Sequence, residues 1–211
     1  MVLKVCSTHT INKSKHGAWC VKTVTSDQSD RGFMTNILAI SGSLRQASIN
    51  TKLLKAMAMA AAENKSMKPV SVDIYPSLGS LPLFNPDMDG REPAAVHEFR
   101  SALKAADGVI IASPEYAHGI TGVMKNALDW TVGSGEFVEK PTAIINAAPR
   151  SSIAFEALKE VLRTMDAAIV PAASLDIPVL GNNLDEAQLT LDLNIGPLMN
   201  QVISSLVSAI G

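Results

Sequence analysis

The chain has 211 residues, of which 47% are hydrophobic, and its formal net charge is −2. This length is enough for the core of one domain, and the composition is typical of a folded chain rather than a disordered one. The nearly balanced charge leaves no basic excess for nucleic acid, and no apolar run is long enough to cross a membrane. We therefore expect a single globular domain whose partners include neither nucleic acid nor a membrane.

The first part of the chain, residues 1–34, differs from the rest because it is rich in Ser, Thr and Lys and holds both cysteines, Cys6 and Cys20. Two thiols in a polar segment are weak grounds for an oxidising compartment. No apolar stretch resembles the core of a signal peptide, so a cytoplasmic protein is expected. We interpret residues 1–34 as a disordered N-terminal extension, or as an upstream start before Met34; a targeting segment is the other interpretation.

From Met34 onward, short apolar runs alternate with helical patterns, which indicates an α/β fold. The predicted strands are Ile37–Ile40, Val70–Tyr75, Gly108–Ala112, Thr142–Asn146 and a fifth within Ala168–Ile177 that is irregular around Pro171. The predicted helices begin near Ser48 and at Pro93, and then cover Ile120–Thr131, Ile153–Met165 and Leu184–Ile210, with a break at Gly196-Pro197.

Five strands with intervening helices imply right-handed crossovers and a doubly wound parallel sheet with helices on both faces. Such a sheet binds ligands beyond the carboxyl ends of its strands, near the point where the strand order reverses. A binding site is therefore expected in the loops after the first, third and fourth strands.

The loop after the first strand, Ser41–Thr51, concentrates groups that bind phosphate, although it has neither a Gly-Lys-Ser/Thr nor a Gly-x-Gly-x-x-Gly motif. A helix that begins near Ser48 would add backbone N–H groups and the positive end of its dipole. We predict a phosphate site here, with Ser43, Arg45, Ser48, Asn50 and Thr51 as its ligands. The other interpretation is a simple helix cap at Ser48 and a solvated charge at Arg45.

The loop after the third strand, residues 113–130, has features that suit a flat ligand. Pro114 ends the strand, Tyr116 offers a ring, and Gly119 and Gly122 would let the backbone approach closely. The other interpretation of Tyr116 is a half-buried packing residue. Glu115 is interpreted as a hydrogen-bond acceptor or a solvated charge rather than as an acid or base.

No metal site is predicted, because His118 has no second ligand at a suitable spacing. On the helix that follows, Lys125 and Asp129 stand four residues apart and are expected to form an exposed ion pair. Trp130 is expected to be buried, either in the core or at a subunit contact.

Two stretches together, GSLRQASINTKLL at 42–54 and PEYAHGITGVMKNALDW at 114–130, closely resemble the NADPH-dependent FMN reductase family. The resemblance extends over residues 36–180. It implies a flavodoxin-like fold with strand order 2-1-3-4-5, formed by residues 35–211. It also implies FMN as the cofactor and NADPH or NADH as the co-substrate.

Within that resemblance, the first loop holds the FMN phosphate and the second borders the isoalloxazine ring. The ring contacts it implies are Pro114, Glu115, Tyr116, Ala117, His118 and Gly119, with Ser151 from the loop Ala147–Ser152. Catalytic side chains are not expected, because the flavin supplies the chemistry. In the implied ping-pong cycle, NAD(P)H passes a hydride to flavin N5 and leaves, and a flavin, quinone, chromate, azo or nitro compound then takes the electrons.

The family resemblance also implies a homodimer or homotetramer, with subunit contacts near Lys125–Trp130. Two other functions fit part of the sequence. The first is an FMN-binding electron carrier with little NAD(P)H turnover. Such carriers are often strongly acidic, so the net charge of −2 favours the enzyme over this alternative. A flavin-free regulatory protein is the third hypothesis, because Ala117 replaces the usual asparagine and Ala147–Ser152 lacks the usual glycines.

Overall fold

The computed structural model describes residues 10–13, 19–22, 34–64, 68–148, 152–179 and 184–211. The chain forms two compact units, residues 1–33 and residues 34–211. In the first unit, strands β1 (Thr10–Lys13) and β2 (Trp19–Lys22) pair antiparallel. The rest of the expected N-terminal extension lies outside the described residues, so its disorder stays a prediction.

The second unit is built on a parallel sheet of five strands. These strands are β3 (Thr35–Ser41), β4 (Val70–Ile74), β5 (Gly108–Ala112), β8 (Pro141–Ile145) and β9 (Ala168–Ile169). A separate two-stranded hairpin consists of β6 (Glu115–Tyr116) and β7 (Gly119–Ile120). The sheet order is β4-β3-β5-β8-β9, which confirms the predicted order 2-1-3-4-5 and the doubly wound fold.

The helices are α1 (Ile49–Glu63), α2 (Ala94–Ala105), α3 (Gly122–Val132), α4 (Ser152–Thr164), α5 (Glu186–Leu191) and α6 (Ile195–Ile210). The buried residues form two hydrophobic clusters, with α1, α5 and α6 in one and α2, α3 and α4 in the other. Helices therefore cover both faces of the sheet. Among the described helices, none is both long and apolar enough to cross a membrane.

The predicted break in the C-terminal helix lies earlier than expected. Helix α5 ends at Leu191 and α6 begins at Ile195, so Gly196 and Pro197 lie inside the first turn of α6. The Asp192 carboxylate accepts hydrogen bonds from the backbone N–H groups of Asn194 (2.8 Å) and Ile195 (2.9 Å). Proline is tolerated in a first turn because its missing N–H would have no helical partner there.

The fifth strand is shorter than the predicted range. Strand β9 has two residues, and a 3₁₀ turn, Pro171–Ala173, follows it. Proline has no N–H for a sheet ladder, so the chain leaves the sheet at this point. It returns at Asp176, which forms a parallel bridge with Asn146.

Candidate functional site

The loops at the carboxyl ends of β3, β5 and β8 enclose a cavity of about 240 Å³. Residues from all three predicted loops line it. They include Ser43, Arg45, Ser48 and Asn50 from the first loop, Pro114, Glu115 and Tyr116 from the second, and Asn146, Ala147 and Ala148 from the third. The sheet edge chosen from the strand order is thus where the polar residues of both sequence motifs come together.

The first loop ends in a well-formed helix cap. Ser48 is the N-cap of α1, and its Oγ accepts a hydrogen bond of 3.3 Å from the backbone N–H of Thr51. The hydroxyl of Thr51 lies 2.7 Å from that of Ser41 and does not line the cavity. Ser48 therefore caps the helix and lines the cavity as well, whereas Thr51 braces the base of the loop.

Arg45 supplies an uncommitted positive charge. Its side chain is exposed at the cavity, and its guanidinium makes no hydrogen bond or ion pair with the described residues. Its backbone N–H donates to Ser43 Oγ at 3.4 Å, which shapes the loop. An arginine beside the N-terminus of α1 makes this end of the cavity suitable for an anion.

The first and second loops approach each other so closely that only glycine fits at position 42. A Cβ on Gly42 would lie 2.2 Å from Ser113 Oγ. Thr121, which is 4% exposed, donates from Oγ1 to the carbonyl oxygen of Gly42 at 2.8 Å and also caps α3. Neither Ser113 nor Thr121 was singled out by the sequence analysis, because their contacts are not local in the chain.

The second loop is a hairpin, β6–β7, whose tip is the pair Ala117 and His118. Both have positive φ, +49° and +56°. Tyr116 lines the cavity and is 60% exposed, so it is not a half-buried packing residue. Ala117, His118 and Gly119 belong to the tip and second strand of the hairpin and do not line the cavity.

Glu115 accepts hydrogen bonds with both carboxylate oxygens. Its Oε2 accepts from the backbone N–H of Ala154 in α4 at 2.8 Å, and its Oε1 lies 2.9 Å from Nδ1 of His118. The Ala154 N–H, and then His118, hold the pKa of the Glu115 carboxyl below its ordinary value, against the opposing effect of desolvation. This agrees with the expectation of an acceptor rather than an acid or base.

The third loop contributes Asn146, a buried polar residue that the sequence analysis placed only as a strand end. Its Nδ2 donates to Asp176 Oδ1 at 2.8 Å, and its Oδ1 accepts from the backbone N–H of Ala148 at 3.1 Å. A polar residue directly after three apolar strand positions, Ala143 to Ile145, was the available signal. Ser151, predicted to border the ring, lies outside the described residues.

The rest of the second motif anchors a loop on α3. Asn126 Nδ2 donates to the carbonyl oxygen of Pro82 at 2.9 Å, and its Oδ1 accepts from the Phe84 N–H at 2.8 Å. Trp130 is 1% exposed and donates from Nε1 to Pro82 O at 2.7 Å, so its burial is confirmed.

The predicted ion pair of the same helix is present, with Lys125 Nζ 2.5 Å from Asp129 Oδ1. The described residues include no cluster of three or more His, Cys, Asp or Glu side chains suited to a metal.

A parallel sheet of order 2-1-3-4-5 with a ligand cavity at its carboxyl edge defines a flavodoxin-like protein. The model of the NADPH-dependent FMN reductase family matches residues 35–178, and the chain belongs to that family.

Several known proteins are similar to this chain. A probable NADPH:quinone oxidoreductase from Oryza sativa subsp. japonica is 42% identical over 115 residues, which cover 53% of this chain and 57% of the relative. An NAD(P)H-dependent FMN reductase from Pseudomonas aeruginosa is 37% identical over 116 residues, 53% and 59% of the two chains. The match thus spans little more than half the length of these relatives.

Among solved structures, a flavoenzyme NAD(P)H:(acceptor) oxidoreductase from Paracoccus denitrificans superposes with a TM-score of 0.73 at 24% identity. The superposition covers 83% of this chain and 97% of that one. At this identity the likeness establishes the fold alone.

Proposed function

We propose that the cavity binds FMN and that the protein is an NAD(P)H-dependent reductase of small electron acceptors. One observation carries the proposal: two stretches typical of the family, about 60 residues apart in the sequence, line a single cavity at the ligand edge of the sheet. A structural role for either stretch alone would not require them to share a cavity.

The phosphate end of the cavity fits FMN by its donor chemistry. A monoester phosphate carries about two negative charges near neutral pH. Arg45 has no partner among the described residues, and the N-terminus of α1 lies beside it. The hydroxyls of Ser43 and Ser48 add neutral donors. Asn50, in the first turn of α1, completes the proposed phosphate ligands that line the cavity. Thr51 stays in the proposed set, although its hydroxyl pairs with Ser41 outside the lining.

The flavin end is formed by Pro114, Glu115 and Tyr116, with Asn146 on the third side. By the family resemblance, Ser151 and the hairpin tip, Ala117 to Gly119, which lies outside the cavity lining, are also proposed as ring contacts. The chemistry that bound FMN would supply here is hydride acceptance from NAD(P)H and electron transfer to the acceptor. The chain binds and orients the cofactor and leaves room for the two substrates in turn, so its side chains need not act as acids or bases.

The acceptors we propose are quinones, flavins, azo or nitro compounds and chromate. The names of the relatives support quinones and azo compounds, since they include NADPH:quinone oxidoreductases and an NADPH azoreductase from Bacillus. A net charge of −2 provides no strong field to steer a protein partner, which favours small acceptors over an electron-carrier role. Assembly as a homodimer or homotetramer and a cytoplasmic location complete the proposal.

The test is the visible absorption spectrum of the purified protein after incubation with FMN and removal of unbound flavin, before and after adding NADPH without air. A flavin spectrum that bleaches with NADPH supports the proposal, and steady NADPH consumption with a quinone identifies the acceptor class. A bound flavin that NADPH does not reduce would favour the electron carrier. A protein that retains no flavin would refute the proposed cofactor.

A further inference from the structure

Glu115 lines the cavity and contacts two neighbouring elements that come from different parts of the chain. Its carboxylate holds the tip of the β6–β7 hairpin through His118 and the first turn of α4 through Ala154. We propose that Glu115 is the positioning residue of the cavity, which holds the hairpin and the start of α4 in register. This inference rests on the proposed FMN site, because Glu115 and Tyr116 of the hairpin line the proposed flavin end.

The hairpin tip needs the contact with Glu115 because its backbone conformation is unfavourable for residues other than glycine. Two-residue turns with positive φ at both positions are normally built from Asn and Gly. Here the residues are Ala117 (φ +49°) and His118 (φ +56°), and side chains with a Cβ adopt this conformation only when the surroundings compensate. The contact from Glu115 Oε1 to His118 Nδ1 is the side-chain interaction that holds the tip in this form.

The second oxygen of Glu115 binds the start of helix α4. Helix α4 begins at Ser152, so Ala154 lies in its first turn, where backbone N–H groups have no partner inside the helix. The carboxylate thus acts as a helix cap supplied from another loop, with favourable charge at the positive end of the helix dipole. Helix α4 also packs against both strands of the hairpin, so the tie joins elements that already touch.

The carboxylate is well placed for this role. The Glu115 side chain is only 10% exposed. The lysines of the neighbouring helices are engaged elsewhere, Lys125 with Asp129 and Lys159 with Glu156. Among the described residues, His118 is therefore the basic side chain that lies closest to the Glu115 carboxylate.

The experiment compares Glu115→Ala and Glu115→Gln with the unchanged protein by two measurements. The first is FMN affinity, from quenching of flavin fluorescence. The second is hydrogen exchange of the Ala154 amide by NMR without flavin. Loss of a charged hydrogen bond predicts FMN affinity about tenfold weaker and faster Ala154 exchange in Glu115→Ala. Glutamine keeps an oxygen for Ala154 and a donor for neutral His118, so Glu115→Gln should restore affinity to within about twofold.

Glu92→Ala is the matched control, because Glu92 is a similarly buried carboxylate whose partner, Arg100, lies 2.7 Å away and outside this cavity. It should lower the melting temperature without changing FMN affinity. A second pair of variants tests the hairpin tip. His118→Ala should weaken FMN binding in the natural protein. It should weaken binding less in a protein that also carries Ala117→Gly, because glycine adopts positive φ without strain.

Unchanged Ala154 exchange in Glu115→Ala would overturn the proposed tie. Equal FMN affinity of Glu115→Ala and the natural protein would overturn its effect on the cavity. Failure of the natural protein to bind FMN would instead refute the proposed function, and the amide exchange would still decide whether Glu115 joins the hairpin to helix α4.

Discussion

Thr121 Oγ1 donates a hydrogen bond of 2.8 Å to the carbonyl oxygen of Gly42, a residue 79 positions earlier in the chain. The bond joins the loops after β3 and β5, which supply the proposed phosphate and flavin ends of the cavity. Because Gly42 also passes within van der Waals distance of Ser113, the two loops are fixed against each other at this point.

Replacement of Thr121 by valine should therefore destabilise the protein and weaken FMN binding. Valine keeps the shape but leaves a buried carbonyl oxygen without its donor, which costs about 1–3 kcal/mol of unfolding free energy. Urea unfolding and flavin fluorescence measure the two effects. Thr121→Ser should retain both properties, because serine keeps the hydroxyl.

The matched control for this change is Thr131→Val. Thr131 is also buried in α3, but its hydroxyl bonds only to carbonyl oxygens of its own helix, those of Ala127 and Leu128. The Thr131→Val variant should therefore leave FMN affinity unchanged. An equal loss of affinity in both variants would mean that Thr121 has no specific role at the cavity.

Replacement of Arg45 by alanine should weaken FMN binding by about 1.5–3 kcal/mol, the usual range for hydrogen bonds to a charged group. Its guanidinium has no other partner among the described residues, so stability should change little. Titration of FMN fluorescence gives the affinity, and riboflavin, which lacks the phosphate, should bind both proteins equally. Arg91→Ala, at an exposed arginine outside the cavity, is the control. An unchanged FMN affinity in Arg45→Ala would remove Arg45 from the phosphate site.

Local patterns predicted the central strands and most helices of the second unit, although not the β6–β7 hairpin. The run Gly108–Ala112 is apolar throughout, as expected of a central strand, and the structure has β5 over the same five residues. Ser48, a residue type favoured at helix N-caps, likewise predicted the start of α1. The break before α6 was misplaced because the chain leaves α5 at Asp192, whose carboxylate accepts from the Ile195 N–H, while Pro197 fits within the first turn of α6.

The contacts that organise the cavity could not be predicted from the sequence, because they join residues that lie far apart in the chain. Glu115 and Ala154 are 39 positions apart, and Asn146 and Asp176 are 30 apart. Such pairs have no fixed spacing, so only the packed loops bring them together. The anchoring role of Asn126 and Trp130 on Pro82 was missed for the same reason.

Removal of residues 1–33 should leave fold and FMN binding intact. The described members of both hydrophobic clusters lie between Ile37 and Ile210, so the truncated chain keeps them all. The measurements are the melting temperature and FMN affinity of the chain that begins at Met34. A large fall in melting temperature would show that the first unit contributes to the stability of the second.

Acid should destabilise the protein through three carboxyl groups whose pKa is lowered in the folded state. Backbone N–H groups are the main cause in each: those of Glu92 itself, of Ala154 for Glu115 and of Ile195 for Asp192. The ordinary values are 4.5 for Glu and 3.8 for Asp. A lowered folded pKa gives stability that is complete above the ordinary value and is lost as the pH falls through the folded one.

The melting temperature should therefore be level from pH 7 to about pH 5 and should fall at lower pH. Asp192→Asn is the informative variant, because asparagine still accepts hydrogen bonds from Asn194 and Ile195 but does not titrate. It should melt at a lower temperature than the natural protein at pH 7 and lose less on acidification. Parallel acid profiles of the two proteins would exclude Asp192 as a source of the pH dependence.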